Sequence, residues 1–403
     1  MARRWSLLTC IVNHTSNWIR LSKSKHIHLV LAISVFFALV GLVRNHEVAT
    51  RSFSLPPALE LDAILPKRTD NLLASDHTGV EHHARPLLKT LNESFSACLL
   101  VMDENFRLSE WLSYHYHVLP LRYVVVAVDP KSQNSPEPIF DQFREELNMT
   151  IVSWNDTDFL QGVKRKRRKT ARLEYQARQI IFLNKCLEHL VDHNRTWTAL
   201  WDPDEYITFN EFGARKTNPE SNQVALAPAN MAESGSVLRY IRDFGASKCL
   251  SMPRIIVGNK ETPGLENETH PYHPRRFDTL RFRYRAGRKD RINGYGKCFL
   301  NVANITDFPV AVKNPHRPLH YLCPGVLGET LWKSPFSLYH FYGSWEAYSF
   351  RNDSRKGKER NYEAYMERAT EQNKIYENAQ SQWMPAFVAE IGGERGDILL
   401  KDA

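Results

Sequence analysis

The chain has 403 residues, ample for one large domain or two small ones. With 11% aromatic residues and a formal net charge of only +8, its composition excludes an intrinsically disordered chain. The basic excess admits nucleic acid, a membrane surface or anionic small molecules as partners, without choosing among them.

Arg3, Arg4, Arg20, Lys23 and Lys25 precede the run Ile27–Val43, which is apolar except for His28 and Ser34. The run is at the short end of what crosses a bilayer. Its leader is long for a cleaved signal peptide, and no small-residue cleavage site follows Val43. The charge bias makes residues 1–26 a cytosolic tail and 27–43 a transmembrane signal anchor, with the remainder luminal in a single-pass type II arrangement. A cleaved signal, or a soluble chain with a buried helix, are the alternatives. A short span suits early secretory membranes, so the endoplasmic reticulum or Golgi membrane is the expected location. Beyond the span, N-x-[ST] glycosylation acceptors occur at Asn92, Asn148, Asn155, Asn194, Asn267, Asn304 and Asn352. Cys10 is then cytosolic. Cys98, Cys186, Cys249, Cys298 and Cys323 are luminal, an odd set from which one or two bridges are expected.

Residues 44–95, polar and Pro-containing, read as a stem, followed by a folded domain over 96–385 and a tail over 386–403. Within the domain, "ACLLVM" (97–102) predicts a buried strand, "LSEWLSYHYHVL" a helix and "RYVVVAVD" a second strand ending at Asp129. "FDQFREEL" predicts a helix, "TIVSW" a third strand, and the segment after the basic run "KRKRRK" (164–169) a long helix leading into the strand "WTALW". Strands that are apolar throughout, alternating with helices, indicate an α/β fold with a mostly parallel central sheet flanked by helices. Farther on, "SVLRYIRDFG" fits helix or strand. "PRIIVGN", "GKCFLNV" and "PLHYLC" predict strands, and "WEAYSFR" and "NYEAYMERATEQNKIYENA" predict helices. The basic run itself reads as the solvated start of the long helix, a lid over an anionic donor, or a protease processing site.

The segment "TALWDPDEYITF" places Asp202, Asp204 and Glu205 at the end of the fourth strand. Ligands of open α/β sheets bind outside the carboxyl ends of strands. In extended backbone Asp202 and Asp204 point the same way, and Pro203 suits a strand end. Two such carboxylates can hold a divalent cation together with substrate phosphates; the bland alternative is an acidic turn that ends a strand. No G-x-S-x-G, H-E-x-x-H or P-loop pattern supports a hydrolase or another phosphate-handling class.

These residues, with two further elements, resemble the GT-A glycosyltransferases, in particular glycosyltransferase family 92. The resemblance runs in order over roughly residues 97–352: the E-W-x-x-Y/H element at Glu110, Trp111, Tyr114 and His115, then "WDPDEYI", then the late "LYHFYGSWEAYSFR". Pro203 inside D-x-D, Phe341, and the Gly343–Ser344 pair depart from the family pattern. The resemblance implies a luminal transferase, a hexosyltransferase, that moves sugar from a nucleotide-sugar donor, expected to be UDP-linked, to a glycan or glycoconjugate acceptor, with Mn²⁺ or another divalent cation. It implies that Asp202 and Asp204 hold metal and diphosphate, that Glu205 orients the turn or the sugar, and that a late histidine, His340 or His320, completes the metal site. Asp103, Glu104, Arg107 and Asp129 are candidates for the nucleotide, and Lys297 for phosphate. Asp290 and Glu346 are candidates for a general base that deprotonates the acceptor hydroxyl. A luminal carbohydrate-binding or structural protein on a catalytically degenerate transferase fold is the alternative function. Type II topology predicts that glycosidase digestion lowers the apparent mass of the expressed protein, and that protease added to intact microsomes leaves the body protected; a digested, unglycosylated body would overturn it.

Overall fold

The computed structural model describes residues 94–163, 171–210, 231–244, 249–288, 290, 293, 296–305, 312–314, 316, 323, 329–350 and 360–401. The expected span at 27–43, the basic run at 164–169, His320, Asn92 and Asn352 lie outside these residues. Among the described residues no helix is long and apolar enough to cross a membrane.

The first half follows the strand–helix alternation read from the sequence: Phe95–Val101 (β1), Asn105–Val118 (α1), Leu121–Val128 (β2), Glu137–Leu147 (α2) and Thr150–Trp154 (β3). A short helix, Asp156–Leu160 (α3), adds to that expectation. Its signal is a capping box: Asn155 Oδ1 accepts the Thr157 N–H at 2.8 Å, and Asp158 accepts the Asn155 N–H at 2.6 Å. Ala171–Asp192 (α4), Trp197–Ala199 (β4) and Glu205–Phe209 (β5) follow.

The later segments are shorter. Ser236–Phe244 (α5) is helical, and Cys249–Met252 (β6) and Arg254–Val257 (β7) are strands. Asp278–Arg281 (α6) and Tyr284–Arg285 (β8) follow. Lys297–Asn301 (β9), Phe336–Phe341 (β10) and Trp345–Phe350 (α7) come next. The helix expected over 361–379 is Tyr362–Thr370 (α8) followed by a short strand, Ile375–Tyr376 (β11).

The fold is mixed α/β with two mixed sheets, where the sequence predicts one mostly parallel sheet. The six-stranded sheet has the order β3-β2-β1-β4-β9-β6, its first four strands parallel and the β4–β9 and β9–β6 pairs antiparallel. The five-stranded sheet, β11-β8-β7-β10-β5, is antiparallel except at β7–β10.

The strands of the first sheet are apolar throughout because helices cover both faces. Leu99, Val124 and Val126 face a core shared with α1 and α2, while Cys98, Val125 and Ala127 face a second core shared with α4. A Cys98–Cys186 bridge ties β1 to α4, and Cys249–Cys323 ties β6 to the segment at 323. Cys298 is a buried thiol, pushed up to about 12 by burial. Of the glycosylation acceptors, Asn148, Asn155, Asn194 and Asn267 are exposed.

The domain boundary expected at residue 385 falls inside Trp383–Ile391 (α9), and Gly393–Leu400 (α10) follows it. Residues 386–401 belong to the folded body, with Phe387, Leu399 and Leu400 in the main core. Pro385 and the Gly392–Gly393 pair look like helix breakers in sequence. Pro385 instead occupies the first turn of α9, where its missing N–H costs nothing, and Gly392 makes the corner at φ +92°. Phe387 packs its ring against Tyr116, His117 and Trp383. Phe387→Ala is therefore expected to lower unfolding stability by about 3–5 kcal/mol in urea, an effect a dispensable tail would not show.

Candidate functional site

In the six-stranded sheet β4 lies beside β1 on the side away from β2. The direction of sheet growth thus reverses between β1 and β4, and a crevice opens outside the strand ends at such a point. Asp103 and Glu104 leave the carboxyl end of β1, and Asp202 and Asp204 leave that of β4. Arg107, on the first turn of α1, spans the two. Its Nη1 lies 3.3 Å from Glu104 Oε2 and 4.0 Å from Asp204 Oδ2, and its Nε donates to Asp278 Oδ2 at 2.6 Å. Burial alone would lower this guanidinium, but Asp278, Glu104 and Asp204 hold it above its ordinary value. A Cβ at Gly343, where φ is +71°, would collide with Arg107 Nη2, so glycine lets the end of β10 close onto this cluster.

The acidic turn carries the chain from β4 in one sheet to β5 in the other. Lys297, at the start of β9, sits beneath it. Its ammonium lies 2.9 Å from Glu205 Oε2, 3.1 Å from Asp202 Oδ2 and 3.4 Å from Leu200 O, so all three hydrogens are engaged. Lys297 is 1% exposed and Glu205 fully buried. Glu205 Oε2 also accepts the Asp202 N–H at 2.9 Å, which fixes the turn. Burial would raise Glu205, but Lys297, His340 and Arg254 hold it below the usual carboxylate range. Lys297 is raised by Asp202 and Glu205 against the effect of burial. Asp202, partly exposed, is pushed up by burial, with Glu205 and Asp204 adding to that and Lys297 opposing it.

Pairing of β10 against β5 sets His340 opposite Glu205. His340 Nδ1 lies 3.4 Å from Asp204 Oδ1 and 3.6 Å from Glu205 Oε1. Both the Nδ1 and the Glu205 Oε1 are shielded from solvent, and His340 helps to hold Glu205 below the usual carboxylate range. Two residues without an expected role join them. Arg254, at the start of β7, places Nη1 3.9 Å from Glu205 Oε1. His316 contacts Gly296 O through Nδ1 at 3.2 Å and is pushed down to about 3, mainly by burial and then by Lys297. Arg254 carries a sequence signal, a cation heading the otherwise apolar strand "RIIV"; His316, in "NPHRP", carries none.

The E-W-x-x-Y/H element braces this site from below. β5 is an edge strand, and its outward carbonyls need donors. Trp111 Nε1 donates to Glu205 O at 3.0 Å, and Tyr114, one helical turn on, donates to Ile207 O. Glu110 accepts the first two amides of α6, Asp278 N–H at 2.8 Å and Thr279 N–H at 2.9 Å. Burial and then Asp278 push Glu110 up to about 7. His115, pushed down to about 3 by burial, packs among Trp111, Trp201 and Tyr206.

Asp204, Glu205, His340, Lys297, Arg107 and Glu104 thus form one contact network. Other expected residues are held elsewhere. Asp103, at φ +54°, accepts the Gln133 N–H at 2.6 Å at the rim of the crevice. Asp129 pairs with Arg178 at 3.2 Å and accepts the Lys131 N–H at 3.0 Å, closing its own loop. Asp290 accepts the Gly287 N–H at 2.6 Å and pairs with Lys374 at 2.7 Å. Glu346 stands exposed in the first turn of α7, lowered by its own backbone amide and by Ser344. A carboxylate lowered in this way is a weak base.

No protein-family model matches the chain, and no curated protein matches it significantly. Lys297→Met leaves a buried carboxylate uncompensated and is expected to cost about 3–5 kcal/mol. Glu205 is lower in the folded state than its unfolded value of about 4.3, so its contribution is present above that pH and lost as pH falls toward the folded value. Urea unfolding between about pH 3 and about pH 8 should therefore show an acid loss in the native chain that flattens in the variant; equal slopes would remove this pair from the site's support.

Proposed function

We propose that the chain is a metal-dependent glycosyltransferase, moving a hexose from a UDP-linked or similar nucleotide-sugar donor to a glycan or glycoconjugate in the lumen of the endoplasmic reticulum or Golgi. The observation that carries this reading is the approach of His340 Nδ1 to Asp204 Oδ1 at 3.4 Å, between residues far apart in sequence, at the switch point of the sheet.

Asp204 and His340 offer two donors at a spacing a divalent cation takes; among the described residues the set of three such side chains close enough to share an ion is instead Cys249, Cys298 and Cys323, two of which form a disulfide. Cis ligands of an octahedral ion at about 2.1 Å lie about 3 Å apart, close to the observed separation of 3.4 Å. Glu205 Oε1 lies 3.6 Å from the same His340 Nδ1. Mixed imidazole and carboxylate ligands suit Mn²⁺. Asp204 and His340 would hold the ion, with Glu205 behind them and Asp202 at the solvent side. Such an ion, when bound, neutralises charge developing on a diphosphate leaving group.

The chain's own groups do the positioning. Arg254, 16% exposed, is placed to donate to a phosphate oxygen. Lys297, with its hydrogens directed to Asp202, Glu205 and Leu200 O, sets where Asp202 and Glu205 stand. Asp103 and Glu104, buried at the carboxyl end of β1, would support the nucleoside side of the site, Glu104 through Arg107. The engagement of Asp202 and Glu205 by Lys297 also favours a second reading, a carbohydrate-binding protein on a catalytically degenerate transferase fold. Incubation of the full chain with a panel of nucleotide sugars, with Mn²⁺ or with EDTA, separates the two: metal-dependent donor hydrolysis or transfer supports the enzyme, and inertness with every donor supports the binder. For the enzyme, His340→Ala should raise the half-saturating Mn²⁺ concentration by about tenfold or more with circular dichroism unchanged. Asp204→Asn should abolish the Mn²⁺-dependent binding of UDP seen by calorimetry. An unchanged Mn²⁺ titration in the folded His340 variant would remove that residue from the site.

A further inference from the structure

Away from the acidic turn, the chain sets a thiol beside a disulfide. Four cysteines of the described residues form the bridges Cys98–Cys186 and Cys249–Cys323, and Cys298 is left as a thiol. The sulfurs of Cys249, Cys298 and Cys323 all lie within 4.8 Å of one another.

Pairing of β6 with β9 explains the cluster. It sets Cys249 opposite Leu300 and Ser251 opposite Cys298. Opposed residues share a face of the sheet, so Cys249 and Cys298 lie on one face, the one whose core also holds Leu300 and Cys323. The two strand cysteines are diagonal neighbours, and Cα atoms in such a pair are about 7–8 Å apart. A disulfide spans less than about 7 Å, so a direct Cys249–Cys298 bridge is disfavoured. Cys323 comes from outside the sheet and is fully buried against it, with its Cα 5.1 Å from that of Cys249. It is the sulfur that either strand cysteine can take.

A thiol this close to a disulfide can exchange with it. A bond forms between Cys298 Sγ and Cys323 Sγ as the Cys249–Cys323 bond breaks, and the proton given up by Cys298 ends on Cys249. One disulfide and one thiol become one disulfide and one thiol, so no outside oxidant or reductant is consumed. A metal ion on the same three sulfurs would first need the bridge reduced. Ser251 Oγ lies 3.0 Å from Cys323 Sγ and 3.8 Å from Cys249 Sγ, where its hydroxyl can donate to the departing sulfur. Burial disfavours the Cys298 thiolate, with Lys297 opposing that effect. The step therefore belongs at the slow end of uncatalysed exchange, which takes minutes to hours. Its result is to move the spare thiol outward. Cys298 is 1% exposed, whereas Cys249 is half-buried on β6, at the edge of the six-stranded sheet. The tie at residue 323 passes at the same time from β6 to β9, the strand that opens with Lys297.

We propose that Cys323 is shared between two alternative disulfides, with Cys249 and with Cys298, and that exchange between them presents Cys249 as a thiol open to alkylation or to a mixed disulfide with another thiol. This holds whether or not the chain transfers sugar. The purified full chain, kept free of reductant, would be held folded in iodoacetamide for up to a day, quenched with acid and digested without reduction, and its peptides mapped by mass spectrometry. Label should build up at Cys249 in step with peptides joined through Cys298 and Cys323, while the Cys98–Cys186 bridge stays intact. Cys298→Ala should lose the label at Cys249 and keep the Cys249–Cys323 bridge. Cys249→Ser should form the Cys298–Cys323 bridge outright, with circular dichroism unchanged; if that variant fails to fold, the native chain against Cys298→Ala decides alone. Cys249 left unlabelled in the native chain, or labelled equally in Cys298→Ala, overturns the exchange. Peptides joined through Cys249 and Cys298, with label at Cys323, overturn Cys323 as the shared sulfur.

Discussion

The buried pair of Lys297 and Glu205, 2.9 Å apart, is the constraint on which the rest of the site depends. Three carboxylates within four residues repel one another, and a turn that carries them out of a sheet end has no intrinsic reason to hold one shape. Lys297 comes from the six-stranded sheet, and Glu205 opens β5 of the other. Their pair is therefore also a joint between the sheets, made at the place where the chain crosses from one to the other. A buried ion pair is poor evidence of net stability, but it penalises any conformation that separates the charges. Here that penalty falls on the geometry of Asp202 and Asp204.

The brace from α1 completes the joint in a different chemical language. Trp111 and Tyr114 use neutral donors on the edge carbonyls of β5, while Glu110 uses a carboxylate on the amides that open α6. Asp278, at the start of α6, then receives Arg107, which returns to Glu104 and Asp204. The motif that resemblance associates with a transferase site thus acts through the backbone of the strand that carries the acids. Its residues are positioning residues, and their spacing follows from a helix turn set against alternate carbonyls of an extended strand.

What the sequence made legible follows from the range of the interactions. The long apolar runs of β1, β2 and β3 and the helices between them announce themselves locally, as does the parallel order, because both faces are covered. The second sheet does not. Strands such as Tyr284–Arg285 and Ile375–Tyr376 are too short to show a period, and their pairing joins distant segments. The acidic turn was legible as a candidate site because it ends a strand. Lys297 was legible only as a cation, since its direction depends on antiparallel pairing of β9 with β4. His340 stood out through family resemblance alone; its distance to Asp204 is a product of the β5–β10 register. The C-terminal helices were hidden by Pro385 and two glycines whose positions at helix starts and corners make them harmless.

The charge balance gives the site a direction. Among the described residues, the carboxylates of Asp202, Asp204, Glu205, Glu104 and Asp278 meet the cations Lys297, Arg107 and Arg254 within this network. Lys297 and Arg107 are buried, whereas Asp202 is the most exposed of these groups. The proposed cation beside Asp204 and His340 would add a positive charge on this acidic side of the turn. Geometry and charge thus converge on the same few ångströms at the end of β4, where the fold of the first sheet opens its crevice.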